Sequence, residues 1–316
     1  MKQFFSNPIV VSALKIIVSI ALLLGLFYYL DFESVISSFQ NAHPQYLFIG
    51  LSLAILQLII NFYRWRYLLR LVSKEISNEE AFTSFFVGFM AGFFTPGQVG
   101  EFAGRIASHP NVKKSHIVGI TLIDKLYWAA LTLIVGGMGI LMFVSDHFPE
   151  YWNPVLRYAS TFVLGIVGAI FLFPEKMKDL LTLLPKKIRE HRFYQVVEII
   201  ETEFHNKNAW ILFSTTLLLY IILLVEYYFL AIAFGPVPFM TALICTASVF
   251  FVKAIVLPIS FGDLGVRESA TVFFFEKAGT AATIAFNASI LMSFVNVIIP
   301  TAIGALLVMR VKRKSK

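Results

Sequence analysis

The chain has 316 residues, of which 58% are hydrophobic and 14% are charged, and its mean hydropathy is +0.78. Globular domains are about 45–50% apolar and about 25% charged, so this composition excludes an ordinary soluble protein and predicts an integral membrane protein. The net charge is +7. The basic residues flank apolar segments, however, which indicates anionic lipid at a cytoplasmic membrane face and not nucleic acid.

The first half of the chain contains apolar segments of about 20 residues, the length that crosses a bilayer as a helix. We expect spans at about 9–30, 46–63 and 117–144, with a shorter apolar run at 81–94. No small-residue cleavage site follows the first segment, so we interpret it as a retained helix and not as a signal peptide. The second span ends in Arg64-Trp65-Arg66-Tyr67, a basic and aromatic segment typical of a membrane interface.

The second half predicts a similar series of segments. Spans are expected at about 155–173, 209–234 and 281–309, and the apolar run 239–257 ends at a proline. The segment between the first two of these spans is the most basic in the chain. We expect part of it to lie as an amphipathic helix on anionic lipid at the cytoplasmic face.

Two short polar segments interrupt the apolar runs with the same pattern. The first contains Pro96, Gly100, Glu101 and Arg105. The pattern returns in the second half as Pro258, Gly262, Asp263 and Arg267. Both copies read Pro-x3-Gly-acid-x3-Arg, and this coincidence indicates two related halves of one intramembrane site. The constant separation between matching positions, from Pro96 to Pro258, is called the repeat offset below.

The repeat offset also carries the second predicted span onto the fifth, and the third onto the sixth. We therefore predict an all-α polytopic membrane protein whose single domain, 1–316, contains two inverted-topology repeats, about 1–145 and 146–316. With both termini cytoplasmic, most Lys and Arg residues fall on the cytoplasmic side. This arrangement requires six full spans and two re-entrant hairpins. Counting every apolar segment as a crossing would instead give eight spans.

The chemistry of the repeated pattern permits two interpretations. Proline and glycine break a helix, and non-helical backbone at membrane depth is tolerated inside protein or beside a water-filled cavity. An acid followed four residues later by arginine lies on the same helical face, so each hairpin could carry a self-neutralising ion pair. Alternatively, the arginines bind a phosphate group bidentately while the acids orient them in the empty site.

Other polar residues in apolar segments are further candidates for the site. Asp124 and Lys125 lie one to two turns into the third span, where a local pair at the interface is favoured over contact with a substrate. On the last span, Asn287 and Asn296 are expected to join helices by hydrogen bonds.

Three charged residues of the second half complete the set of candidates. Lys253 and Glu268 would add charge to the cavity. The repeat offset relates Arg64 to Glu226, and we expect Glu226 to be a proton site or the partner of an ion pair.

The sequence contains no nucleotide-binding loop, no Ser/His/Asp arrangement and no cofactor pattern. His109 and His116 show no metal-ligand spacing, so neither a metal nor a cofactor is expected. The single cysteine, Cys245, excludes an internal disulfide. ATP-driven transport by this chain alone is not expected.

The two interrupted segments, 95–101 and 257–268, together with Asp124 in an apolar helix, resemble the transmembrane region of lysylphosphatidylglycerol synthase/flippase proteins. The resemblance extends over nearly the whole chain and implies a flippase that moves a lipid to the outer leaflet. It also implies that a headgroup cavity is lined by Glu101, Arg105, Asp263, Arg267 and Glu268. Since the sequence ends at Lys316, no soluble aminoacyl-transferase domain is expected, and polyprenyl-phosphate sugars and other anionic lipids remain open as substrates.

We therefore predict a lipid flippase-like transporter in the cytoplasmic (inner) membrane, acting on a phospholipid or a polyprenyl-phosphate lipid. One alternative is a membrane-embedded transferase that uses Glu101 or Asp263 as a general base. Another is a non-transporting partner of a lipid synthase. A homodimer is compatible with the sequence.

Overall fold

The computed structural model describes residues 32–151, 153–172, 206–255 and 264–314, together with isolated positions between 17 and 30. Within these ranges the regular structure is helical and contains no strand, which confirms the prediction of an all-α protein. Four helices are long and apolar enough to cross a membrane: Pro44–Val72, Lys114–His147, Asn206–Ile232 and Ala282–Arg310. They match the second, third, fifth and sixth predicted spans, whereas most of the first lies outside the described residues.

Among the helices whose bounds are described in the first half, the sequence pattern does not predict the earliest one. Its helices are α1 (Phe32–Gln40), α2 (Pro44–Val72), α3 (Asn78–Phe93) and α4 (Gly100–Ala107). Helix α1 lies in the stretch between the first two predicted spans, and its Val35 is buried in a cluster with Val272 and Phe286. Helix α2 is longer than predicted because it continues through the basic and aromatic segment.

The next helix is interrupted in its middle by one wide turn. It consists of α5 (Lys114–Leu131), a π-helical turn (Thr132–Gly136) and α6 (Gly137–His147), and α7 (Pro154–Leu172) follows. Helix α7 lies where the fourth span is expected.

The second half resembles the first in its succession of helices. It contains α8 (Asn206–Ile232), α9 (Phe239–Ile255), α10 (Val266–Lys277), α11 (Ala282–Ser293), a second π-helical turn (Phe294–Ile298) and α12 (Ile299–Lys314). The repeat offset carries α2 onto α8, whose last residue, Ile232, lies two residues before the equivalent of Val72. It also carries the first π-helical turn onto the second, residue for residue. The number of membrane crossings and the repeats themselves stay predictions.

The chain turns back on itself at the first interrupted segment. A Cβ atom added at Gly104 of α4 would lie 2.8 Å from the carbonyl oxygen of Val87 in α3, so these two helices are in backbone contact. The turn between them uses left-handed backbone at Gly97 (φ 62°) and Gln98 (φ 57°), a conformation that glycine adopts readily and glutamine rarely. The hydroxyl of Thr95 accepts a hydrogen bond of 2.6 Å from the Gly100 N–H, which stabilises the start of α4.

The second interrupted segment is described only in part. Pro258, Gly262 and Asp263 lie outside the described residues, whereas Arg267 and Glu268 open helix α10. Gly265 precedes this helix with a φ of 85°, a value that favours glycine. Helix α10 packs against α9 and α11.

The two halves exchange helices, in the sense that a helix from each half packs against a helix of the other half. Helices α2 and α8 pack against each other, α3 packs against α12, and α9 packs against α6. Glycines permit close approach in both exchanged pairs. A Cβ added at Gly304 of α12 would overlap the Phe86 oxygen, and one at Gly136, in the π-helical turn before α6, would lie 2.9 Å from the Ala247 oxygen. Helices α3 and α9, which precede the two interrupted segments, therefore each pack against the final long helix of the other half.

Candidate functional site

A cavity of about 550 Å³ lies between the two halves, beside the break between α3 and α4. Its polar lining comes from both halves: Gln57, Asn61, Thr95, Gln98, Glu101, Arg105, Asp124, Lys125, Thr132, Lys253, Arg267, Asn296 and Thr301. Aromatic side chains, among them Trp128, Tyr220 and Phe250, line the same cavity. The structure thus brings charged residues of both interrupted segments to one place.

Helix α4 supplies the first acid and base of the cavity. Glu101 and Arg105 form an ion pair four residues apart, as the spacing predicts, and both residues are buried. Gly100 permits this short helix to lie against α3, since a Cβ there would overlap the Ala91 oxygen. Pro96 starts the 3₁₀ turn that leads into α4. Pro96 and Gly100 therefore give the repeated pattern a structural role, in addition to the charges that Glu101 and Arg105 contribute.

Asp124 joins two arginines from different helices. Its carboxylate lies 2.5 Å from a terminal nitrogen of Arg64 and 3.4 Å from one of Arg105. Arg64 is only 3% exposed, so the expectation that it anchors at an interface is wrong. The expected local pair of Asp124 with Lys125 is not formed, because each of these side chains takes other partners.

Lys125 extends the network of charges to the turn before α4. Its ammonium group lies 2.5 Å from the second carboxylate oxygen of Glu101 and donates a 3.0 Å hydrogen bond to Gln98. The ion pairs therefore form a chain in which cations and acids alternate: Arg64, Asp124, Arg105, Glu101 and Lys125.

Two tryptophans cover the arginines of this network. The guanidinium of Arg105 lies 3.7 Å from the centre of the Trp65 ring, and that of Arg64 lies 5.9 Å from the Trp128 ring. Trp65 is 1% exposed and donates a 3.3 Å hydrogen bond to Ser84. Cation–π contacts of this kind gain strength when they are shielded from water.

In the second half, Arg267 lines the cavity and Glu268 does not. Glu268 is fully buried, and one of its oxygens accepts a 2.6 Å hydrogen bond from the Gly265 N–H at the start of α10. The other oxygen accepts a 2.5 Å hydrogen bond from Ser293 and lies 3.4 Å from Arg267 Nε. Glu268 therefore caps its own helix and orients Arg267, and the predicted contribution to the cavity lining is not observed.

Lys253 and Glu226 occupy different positions relative to the cavity. Lys253 lines it from the C-terminal part of α9, with its ammonium 5.5 Å from the centre of the Phe250 ring. Glu226 of α8 is fully buried behind the lining and accepts a 2.7 Å hydrogen bond from Asn296, which does line the cavity. Asn296 therefore joins two helices, as expected.

The described lining carries more positive than negative charge. Its cations are Arg105, Lys125, Lys253 and Arg267, whereas its acids are Glu101 and Asp124. Those two acids are shared among three cations of the first half, Arg64, Arg105 and Lys125, through the ion pairs above. The described part of the lining is therefore suited to an anionic ligand. No cluster of His, Cys, Asp and Glu able to hold a metal ion occurs among the described residues.

Comparison with known proteins identifies a family and a relative. The family model described as the lysylphosphatidylglycerol synthase TM region matches residues 12–304. The chain is also 20% identical over 322 residues to the UPF0104 membrane protein MJ1595 of Methanocaldococcus jannaschii, and the alignment covers 96% of each chain. Both matches extend across the two halves that enclose the cavity.

Proposed function

Because the chain belongs to the lysylphosphatidylglycerol synthase TM region family, we propose that it is a flippase-like transporter of a phosphate-bearing lipid. The substrate would be an anionic phospholipid or a polyprenyl-phosphate lipid that moves between the two leaflets. The family match and the apolar helices support a lipid-related function in a membrane.

The observation that carries this proposal is the cavity of about 550 Å³, whose charged lining comes from both halves. Charged side chains within apolar helices are costly, and they mark substrate pathways in many membrane proteins. Broken helices beside such a cavity are typical of transporters with inverted repeats. A space of this size fits a headgroup, while the acyl chains would remain among the apolar helices.

Arg267 is the best candidate for the phosphate ligand. It lines the cavity, and its guanidinium is oriented by Glu268 and Ser293. A guanidinium can bind two phosphate oxygens at once, which fixes the headgroup as well as attracting it. Lys253 adds a second positive charge from α9. Two cations of the first half, Arg105 and Lys125, also line the cavity, and Glu101 holds both in place.

Movement of the lipid would follow from rocking of the two repeats around the shared cavity. The reciprocal packing of α3 with α12 and of α9 with α6 supports this mechanism, because the two halves are related by exchange of equivalent helices. The matching positions of the π-helical turns support the proposed repeats. We further propose a multi-pass protein of the cell membrane with both termini in the cytoplasm, where the basic segments contact anionic lipid.

The geometry favours transport over the transferase alternative. Both oxygens of Glu101 are engaged by cations, one by Arg105 and the other by Lys125. A carboxylate held in this way is poorly placed to accept a proton from a substrate hydroxyl. Asp263, the other candidate base, lies outside the described residues.

The test is lipid movement in vesicles that contain the purified protein and fluorescent phosphatidylglycerol. We expect Arg267→Gln to reduce the rate at least tenfold, because the neutral side chain no longer binds phosphate. Arg66→Gln is the matched control, since Arg66 is outside the cavity lining and lies near the Tyr63 ring. Equal rates for wild type and Arg267→Gln would contradict the proposed site. Absence of movement by the wild-type protein, with either phosphatidylglycerol or a polyprenyl phosphate, would contradict the function itself.

A further inference from the structure

Glu226 is a buried acid that the binding site does not use. Its side chain is fully buried, six residues before the end of α8, a helix apolar enough to cross a membrane. One carboxyl oxygen accepts the hydrogen bond from Asn296, and the other, Oε2, has no hydrogen-bond partner within the described part of the chain. A neutral carboxyl group tolerates such a place far better than an ionised one, because burial penalises the charge.

The charged groups around α8 do not form an ion pair with Glu226 in the described structure. Arg267 lines the same cavity as Asn296, the hydrogen-bond partner of Glu226, and its own acid partner is Glu268 of α10. On the other helices packed against α8, Arg64 of α2 and Lys125 of α5 are paired with other acids, and Lys253 of α9 lies near an aromatic ring. Arg267 is therefore the cation whose position determines how readily Glu226 can lose a proton.

Asn296 places Glu226 one side chain away from the cavity. It belongs to the second π-helical turn, and its amide group contacts the buried carboxyl while the residue lines the cavity. Wide turns of this type often occur at functional sites because they displace one residue from the regular helix. A small shift of Asn296 would open the carboxyl to the cavity, from which a proton could enter or leave.

We propose that Glu226 is a proton-binding site that couples movement of the lipid to movement of a proton in the same direction. This inference rests on the proposed function, since it assigns a driving force to that transport. The proton comes from water in the cavity, binds a carboxyl oxygen of Glu226 and returns to water on the other side. No covalent bond forms or breaks in the lipid.

The coupling arises from competition for Arg267. An ionised Glu226 is stabilised by the positive charge of this arginine, and so is a phosphate group in the cavity. When the headgroup binds Arg267, less of that charge is available to Glu226, and the acid holds its proton more firmly. By thermodynamic linkage, the protonated protein must bind the headgroup more tightly by the same factor.

The test is an infrared titration of the purified protein with and without dihexanoyl phosphatidylglycerol, whose phosphodiester does not titrate in the same range. We expect the C=O stretch of a protonated carboxyl to be present in wild type and in Glu276→Gln, a surface control, and absent in Glu226→Gln. Lipid should move the midpoint of this titration upward by about one pH unit, equivalent to about tenfold tighter binding. Should Glu226→Gln fail to fold, Glu226→Asp must instead shift the frequency of the band.

In the titration, two results would overturn the proposal: a band that Glu226→Gln leaves intact, or a midpoint that does not respond to lipid. A vesicle assay separates this failure from failure of transport. If wild type moves lipid and an inward proton gradient does not accelerate uptake, coupling is wrong while the proposed function stands. If wild type moves no lipid, the proposed function fails and the coupling fails with it.

Discussion

Asp124 is the residue on which the charged network depends most strongly. It is the acid that the buried arginines Arg64 and Arg105 have in common. Removing one partner of a buried ion pair costs more than removing both, because the remaining charge keeps its desolvation penalty without compensation. The stability of the first half should therefore be more sensitive to Asp124 than to any exposed acid.

We expect Asp124→Asn to lower the free energy of unfolding by about 3–5 kcal/mol. The measurement is denaturant unfolding in detergent, with Asp146→Asn, an exposed acid near the end of α6, as the control. Adding Arg64→Leu to Asp124→Leu should recover part of the loss relative to Asp124→Leu alone. Equal stability of Asp124→Asn and wild type would show that the two arginines do not need this acid.

At the residue scale, the sequence predicts the acids and bases of α4 better than their partners. The spacing of Glu101 and Arg105 places them on one helical face, and the structure pairs them. The sequence misplaces Arg64 because a basic and aromatic segment is typical of an interface. Its partner Asp124 is 60 residues away, and no local pattern joins positions so distant. The Trp65 ring over Arg105 escapes sequence reasoning for the same reason.

Glycines determine how closely the exchanged helices pack. A Cβ at Gly304 would overlap a backbone oxygen of α3, so relief requires movement of a helix and not of a side chain. We expect Gly304→Ala to lower the free energy of unfolding by about 1–3 kcal/mol, as overpacked positions do. Gly165→Ala in α7 is the matched control, because a Cβ there meets nothing within 4 Å. If Gly304→Ala leaves the free energy of unfolding unchanged in the same denaturant measurement, α3 and α12 can move apart without cost.

At the scale of elements, breaks are easier to predict than turns within a helix. Proline and glycine identify the interruption after α3, where the chain does fold back. The π-helical turns carry no residue type that distinguishes them, and each lies inside an apolar run. Helix α1 is hard to predict because its stretch is short and polar, and Asn287 and other residues of distant helices provide its contacts. The two π-helical turns can be related to each other only through the repeat offset.

The exchange of helices makes the two halves interdependent. Helix α3 packs against α12 of the second half, and α9 packs against α6 of the first. We expect separate chains 1–185 and 186–316 to associate when they are expressed together, because each supplies the surface that the other lacks. Expressed alone, each should aggregate or be degraded. The measurement is co-purification through a tag on one chain, and a monodisperse, protease-resistant single half would contradict the expectation.

The intrinsic fluorescence of Trp65 should report whether a lipid headgroup occupies the cavity. Its indole ring is shielded from water and lies 3.7 Å from the guanidinium of Arg105, which lines the cavity. The energy and lifetime of an indole excited state depend on a nearby cation. A headgroup that draws Arg105 toward its phosphate would therefore change the intrinsic fluorescence without any added dye. Stopped-flow emission, with Trp65→Phe as the blank, could follow lipid entry into the cavity in real time.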